Sequence, residues 1–230
     1  MSTPSAGAVR TTLLFVWAAF LGWLLVSGKV YRYIGPRTMW VVIFGAVMLL
    51  LAALMQIGSG STERLSQKEL LGLSSFIAPI AILVLVPAAG LGSEAASRKS
   101  SGGLVSAASR FAPIPQSGGD VSFPEISYAS DSQEYGAALG IVDGYEVKLT
   151  GFVAHPDGTP DGTFALTRFE TFCCAADAIP YSVAVDPSIT EDYPDDTWLT
   201  VSGSLARRTD EFVLEAERIT EVKEPKNPYI

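Results

Sequence analysis

Three uninterrupted apolar runs constrain this chain more than any other feature. TTLLFVWAAFLGWLLVSG occupies residues 11–28, TMWVVIFGAVMLLLAALMQIG residues 38–58, and LLGLSSFIAPIAILVLVPAAGLG residues 70–92. Each is at least 18 residues long and uncharged. An α-helix needs about 20 such residues to cross a hydrocarbon core ~30 Å thick. Backbone groups in lipid find no water and must be satisfied within their own segment, so helix is the expected state. The runs predict three membrane-spanning helices in residues 1–92. The first is too long in its apolar core for a signal peptide, and no small-residue cleavage site follows it. The third carries Pro79 and Pro87. A buried soluble helix is the alternative there, but membrane helices tolerate proline when neighbours resatisfy the freed carbonyls. Its prolines are expected to bend it and to mark a face for a partner.

Charge divides the chain in the same place. Residues 1–119 hold nine Lys/Arg and three Asp/Glu, a net of +6, whereas residues 120–230 hold seven and 21, a net of −14. This asymmetry predicts a membrane part joined to an acidic aqueous domain. With three spans, the loop between the first two lies on the same side as that domain. Lys29, Arg32, Arg37, Arg98 and Lys99 flank the membrane there, against Arg10, Arg64 and Lys68 on the other side. The count leans toward a cytoplasmic domain. A long Ser/Gly linker before an acidic β-domain leans the other way, and long domains translocate largely regardless of charge. We expect a multi-pass protein of the cell membrane and favour an extracytoplasmic domain, with the orientation open between these signals.

Residues 93–130 begin with SEAASRKSSGGLVSAASRFAPIPQSGGD and read as a Ser/Gly/Pro-rich tether without apolar period. DSQEYGAALG, residues 131–140, predicts a short helix, capped by Asp131 or Ser132 and ended by Gly140, with Tyr135, Ala138 and Leu139 on its apolar face. From residue 145 the period switches to two. Strands are expected at 145–153, 162–172, 181–186, 197–205 and 212–222, separated by Gly, Pro and Asp clusters. Five short strands in such a span predict an all-β, OB-like five-stranded barrel over residues 131–230. Gly151 and Gly203 fall inside strands, where a barrel bends. OB-like barrels often bind nucleic acid, but a domain of net −14 repels phosphate, so nucleic acid is excluded as a partner.

The chemistry-bearing stretch is RFETFCCAADA, residues 168–178, with the only two cysteines of the chain. If residues 173 and 174 stay extended, alternation sends the sulfurs of Cys173 and Cys174 to opposite faces. Joint ligation of one ion then requires a local turn, which the following AAD permits. Asp177 and the single histidine, His155, are the available further ligands. Packing, metal or partner contact, and redox use all remain open for the pair. A thioredoxin-type site is excluded because no residues separate the cysteines. Arg168 and Asp177 are expected to pair across the strand end. No phosphate loop or nucleophile elbow is present, and histidine chemistry is confined to His155. We expect no enzyme activity.

SGKVYRYIGPR at 27–37, LTRFETFCCAADAIPYSVAV at 166–185, DDTWLTVSGSL at 195–205 and the final KEPKNPYI together resemble the YcgQ-like family of bacterial membrane proteins. Arg168, Phe169, Cys174 and Asp177 carry the most specific part of that resemblance. It implies an accessory subunit working with a polytopic permease, and a link to zinc limitation, hence to a zinc ion. Some similar proteins have a His-rich stretch between the second and third spans; here that loop is SGSTERLSQKE, without histidine. The resulting expectation is a non-enzymatic subunit of a permease complex for a metal or small solute. Tyr31, Arg32, Pro36 and Arg37, with Pro79 and Pro87, would dock the partner. The alternatives are a membrane-anchored domain that binds or delivers metal through Cys174, Asp177, Cys173 and His155, and a thiol redox protein.

Overall fold

A computed structural model describes residues 5–58, 66–86, 90–101, 121–156, 163–187, 193–209 and 211–230. The chain divides into two compact units, Met1–Ala89 and Gly90–Ile230.

The first unit is helical. α1 (Ala6–Ser27) starts where the Ser5 hydroxyl accepts the Ala8 N–H. Short 3-10 turns at Lys29–Arg32 and Pro36–Thr38 lead into α2 (Met39–Gly58). The third apolar run forms α3 (Gln67–Ser74), a 3-10 turn at Ser75–Ile77, and α4 (Ala78–Leu85). Pro79 sits in the first turn of α4, where a missing N–H costs no helical bond, and the helix tightens to 3-10 immediately before it. Pro87 lies outside the described residues. Three stretches, Ala6–Ser27, Pro36–Ile57 and Gln67–Leu85, are long and apolar enough to cross a membrane. Their side chains point outward: Trp40 is 65% and Met55 79% exposed, a surface that suits lipid. A small cluster of Phe20, Leu24 and Val30, with Tyr31, Ile80 and Leu83 against it, joins the helices.

The second unit is a closed barrel. β1 (Tyr145–Ala154), β2 (Phe164–Glu170), β3 (Ile179–Pro187), β4 (Trp198–Arg208) and β5 (Glu211–Glu221) close in the order β1-β2-β3-β5-β4. All pairs are antiparallel except β3 with β5. Alternate residues fill the interior, among them Leu149, Leu166, Val183, Val201 and Leu214. Gly203 marks a register shift between β4 and β5, and a Cβ there would run into the Glu215 carbonyl. Gly151 likewise lets the Thr167 carbonyl approach to 2.6 Å of where its Cβ would be. The OB-like expectation from strand count and spacing therefore holds.

Helices replace part of the expected tether. α5 (Ser93–Ser101) and α6 (Phe123–Asp131) are both formed, while residues 102–120 lie outside the described residues. α6 begins with a capping box between Ser122 and Glu125 and puts Phe123, Ile126 and Ala129 into the barrel core. α7 (Gln133–Leu139) follows, capped by the Ser132 hydroxyl and ended by Gly140 at φ +72°, as its sequence indicates. Tyr135 and Leu139 pack on the core, but Ala138 is exposed. α5 packs outside the barrel: its Ala96 is buried with Phe152, Ala154, Phe169, Ala178 and Tyr229.

Candidate metal centre

The RFETFCCAADA run, which begins inside β2 and continues past its end, does two separate jobs. Its first two residues hold the chain's last segment. The Arg168 guanidinium donates to the carbonyls of Thr150 (3.1 Å), Asn227 (3.1 Å) and Pro228 (3.3 Å). Arg168 also lies over Trp198, and its partial burial lowers the tendency of its guanidinium to stay charged. The tail it grips runs parallel to β2: the Ile230 N–H donates to the Phe169 carbonyl (2.9 Å) and the Thr171 N–H to the Ile230 carbonyl (3.2 Å). Tyr229 is buried beside Phe169 and Phe152 in the outer cluster. The expected Arg168–Asp177 pair is not what these groups do; Arg168 is engaged by three carbonyls, and Asp177 by backbone amides.

Asp177 organises the second job. Its carboxylate accepts the N–H of Phe172 (3.0 Å), Cys173 (2.9 Å) and Cys174 (3.3 Å), and its own N–H returns to the Cys174 carbonyl (3.0 Å). These amides are withdrawn from the sheet ladder, so β2 stops at Glu170 and a 3-10 turn forms over Ala175–Asp177. Strand alternation no longer applies to the two cysteines. Their sulfurs lie 3.7 Å apart, unlinked. One ligand atom from each of Cys173, Cys174 and Asp177 falls within 4.8 Å of the others. Cys173 is exposed, and the other two are half-buried.

The electrostatics follow from this geometry. The Cys173 thiol, hydrogen-bonded to the Asp177 carboxylate and next to Cys174, is pushed up to about 12. Burial pushes the Asp177 carboxyl up, but the Cys173 thiol and the three amides outweigh it and hold the group below the ordinary carboxylate value.

The donor set fits zinc in kind and spacing. Zinc takes thiolate and carboxylate ligands in a tetrahedron, and two sulfurs each ~2.3 Å from one tetrahedral ion lie about 3.8 Å apart. A linear two-coordinate ion would need about twice the bond length between them. Three donors leave one position for water or another ligand.

His155 is elsewhere. Its Nδ1 and its backbone N–H both meet Asp195 Oδ1, at 2.9 and 3.0 Å. It does not belong to the cysteine cluster found among the described residues. It lines a separate cavity of about 350 Å³ with Glu94, Ser97, Thr167, Ser182 and Asp195. A residue far away in the chain, Lys99, also contacts this turn. Its ammonium donates to the carbonyls of Ala176 (3.1 Å) and Ala178 (2.7 Å), on either side of Asp177. No local motif signals a contact between residues so far apart in sequence.

Comparison with known families covers both units. Residues 9–102 match the model described as the DUF1980 N-terminal domain, and residues 121–230 match the DUF1980 C-terminal domain. No curated protein matches the chain.

Proposed function

The chain belongs to the DUF1980 family through both of its parts, and on that premise we propose that it is a non-enzymatic, membrane-anchored accessory protein whose barrel binds a thiophilic metal ion, zinc in the first place. Cys173, Cys174 and Asp177 are the protein ligands. The observation that carries this reading is the 3.7 Å separation of the two sulfurs, which matches one edge of a zinc tetrahedron, with a carboxylate in reach of both. The fourth position is open, as in sites that exchange ligands rather than in closed structural sites.

The partner is a polytopic permease subunit. The resemblance to YcgQ-like proteins supports this. The turns around Tyr31, Arg32, Pro36 and Arg37, with the helix at Pro79, supply the docking elements. Pro87 belongs to the same reading by sequence. A metal or a small solute is the transported species, and the barrel supplies the ion-binding site.

Elemental analysis of the full chain purified in mild detergent tests the metal reading. One zinc per chain is expected in the wild type and a clear loss in Cys174→Ser. No stoichiometric metal in either would sink it. Co-purification from native membranes tests the partnership: a larger multispan protein is expected with this chain, and a clean monomer under gentle extraction counts against it.

A further inference from the structure

We propose that Lys99 is a positioning residue of the Cys173–Cys174–Asp177 site, and that metal occupancy and docking of α5 on the barrel are thermodynamically linked. This rests on the metal reading given above. The Lys99 ammonium bridges the carbonyls of Ala176 and Ala178 and so clamps both flanks of Asp177. That 3-10 turn is the element that brings the Asp177 carboxylate to the two thiols. Groups beyond the ligands that fix ligand orientation commonly change metal affinity by 10–100-fold.

Charge points the same way. A divalent ion held by two thiolates and one carboxylate leaves a net charge of about −1 at the turn, and the ammonium offsets it. Packing supplies the second half of the linkage. Ala96 of α5 and Ala178 of the turn are buried in one cluster, so movement of the turn disturbs the seat of the helix. At its other end, α5 is tied by the Ser93 N–H, which donates to Asp196 Oδ1 at 2.6 Å. Whatever α5 contributes to metal affinity, metal must return to α5 docking, because coupling between two binding events is reciprocal.

The test uses the full chain in detergent and zinc alone as the probe. Chelator competition gives the zinc affinity of the wild type, Lys99→Met and Lys99→Arg. Met keeps the alkyl stem without donors, while Arg keeps the charge and can still span two carbonyls. The expected result is a loss of about tenfold or more in Lys99→Met and a change within about threefold in Lys99→Arg. In parallel, hydrogen exchange of residues 93–101 in the wild type is expected to slow when zinc is added. Equal zinc affinity in all three proteins, with unchanged α5 exchange, overturns the linkage and leaves the metal reading standing. Absence of zinc binding by the wild type overturns both. If Lys99→Met does not fold, the exchange measurement on the wild type decides alone.

Discussion

Asp177 holds Cys173 twice, accepting its backbone N–H at 2.9 Å and the hydrogen bond of its thiol. The thiol is thereby kept protonated. In the folded chain its value lies at about 12, above the ~8.5 of an ordinary cysteine. Folding thus favours the protonated form. The associated stability is fully present below the unfolded value and is lost as pH rises from there toward the folded one. Maleimide should label Cys173 at pH 8 at least tenfold more slowly in the folded chain than in urea, because the thiolate is the nucleophile. Asp177→Asn should accelerate labelling of the folded protein. Equal rates in the folded wild type and in Asp177→Asn would show that the carboxylate does not control the thiol.

Arg168→Lys should loosen the last segment of the chain. A lysine cannot span the three carbonyls of Thr150, Asn227 and Pro228 with one geometry. The expected cost is about 1–3 kcal/mol in denaturant unfolding, since at least one carbonyl of a half-buried site is left without its donor. Proteolysis should then cut within residues 222–230 before any other part of the barrel. A protected tail in Arg168→Lys would assign the grip to Tyr229 packing instead.

Two glycines should respond to alanine for different reasons. At Gly203 a Cβ meets the backbone of Glu215 and Ala216. Neither can retreat without breaking the β4–β5 pairing, so Gly203→Ala should cost about 2–4 kcal/mol. At Gly140 there is open space, and only the φ of +72° opposes a side chain. Gly140→Ala should cost about 1–2 kcal/mol. Unfolding midpoints of the two variants check the order.

Orientation is accessible to single-cysteine labelling in a Cys173→Ser, Cys174→Ser background. Three spans put residues 29–37 and the barrel on one side. An impermeant maleimide added to intact cells should label Lys29→Cys and Ser182→Cys alike, and should label Lys68→Cys only after permeabilisation. The reverse pattern would place the barrel in the cytoplasm. Different behaviour of Lys29→Cys and Ser182→Cys would refute three spans.

Periodicity made much of the architecture legible. Long uncharged runs force helices in lipid, and the change to period two at Tyr145 announces the strands. What escaped was set by contacts distant in sequence. SEAASRKSS reads as a tether because its helix is seated by Ala96 against Phe152 and Tyr229 and by Lys99 on the Ala176 and Ala178 carbonyls. SFPE at 122–125 did contain a readable start, with Ser122 and Glu125 in capping-box spacing and proline in the first turn. The surrounding Ser/Gly composition masks it. Alternation separates the two cysteines only while the strand persists, and Asp177 ends it by taking three amides in the turn that the AAD sequence permits. His155 offered the right element without the right place, because Asp195 captures it 40 positions further along. Arg168 and Phe169 stood out in sequence, yet their role depends on the Asn227–Ile230 segment and could not be inferred from spacing.

The parallel β3–β5 pairing has a consequence for life beside a bilayer. It is the junction that joins the two ends of the sheet, so every one of the five strands has a neighbour on both sides. Proteins tethered to a membrane diffuse in two dimensions and meet one another far more often than they would at the same copy number in bulk. An open sheet edge under those conditions is a template for strand addition by the next molecule. By closing on itself, this domain can be crowded at a surface and still leave its backbone unavailable to its neighbours, so that association is decided by side chains.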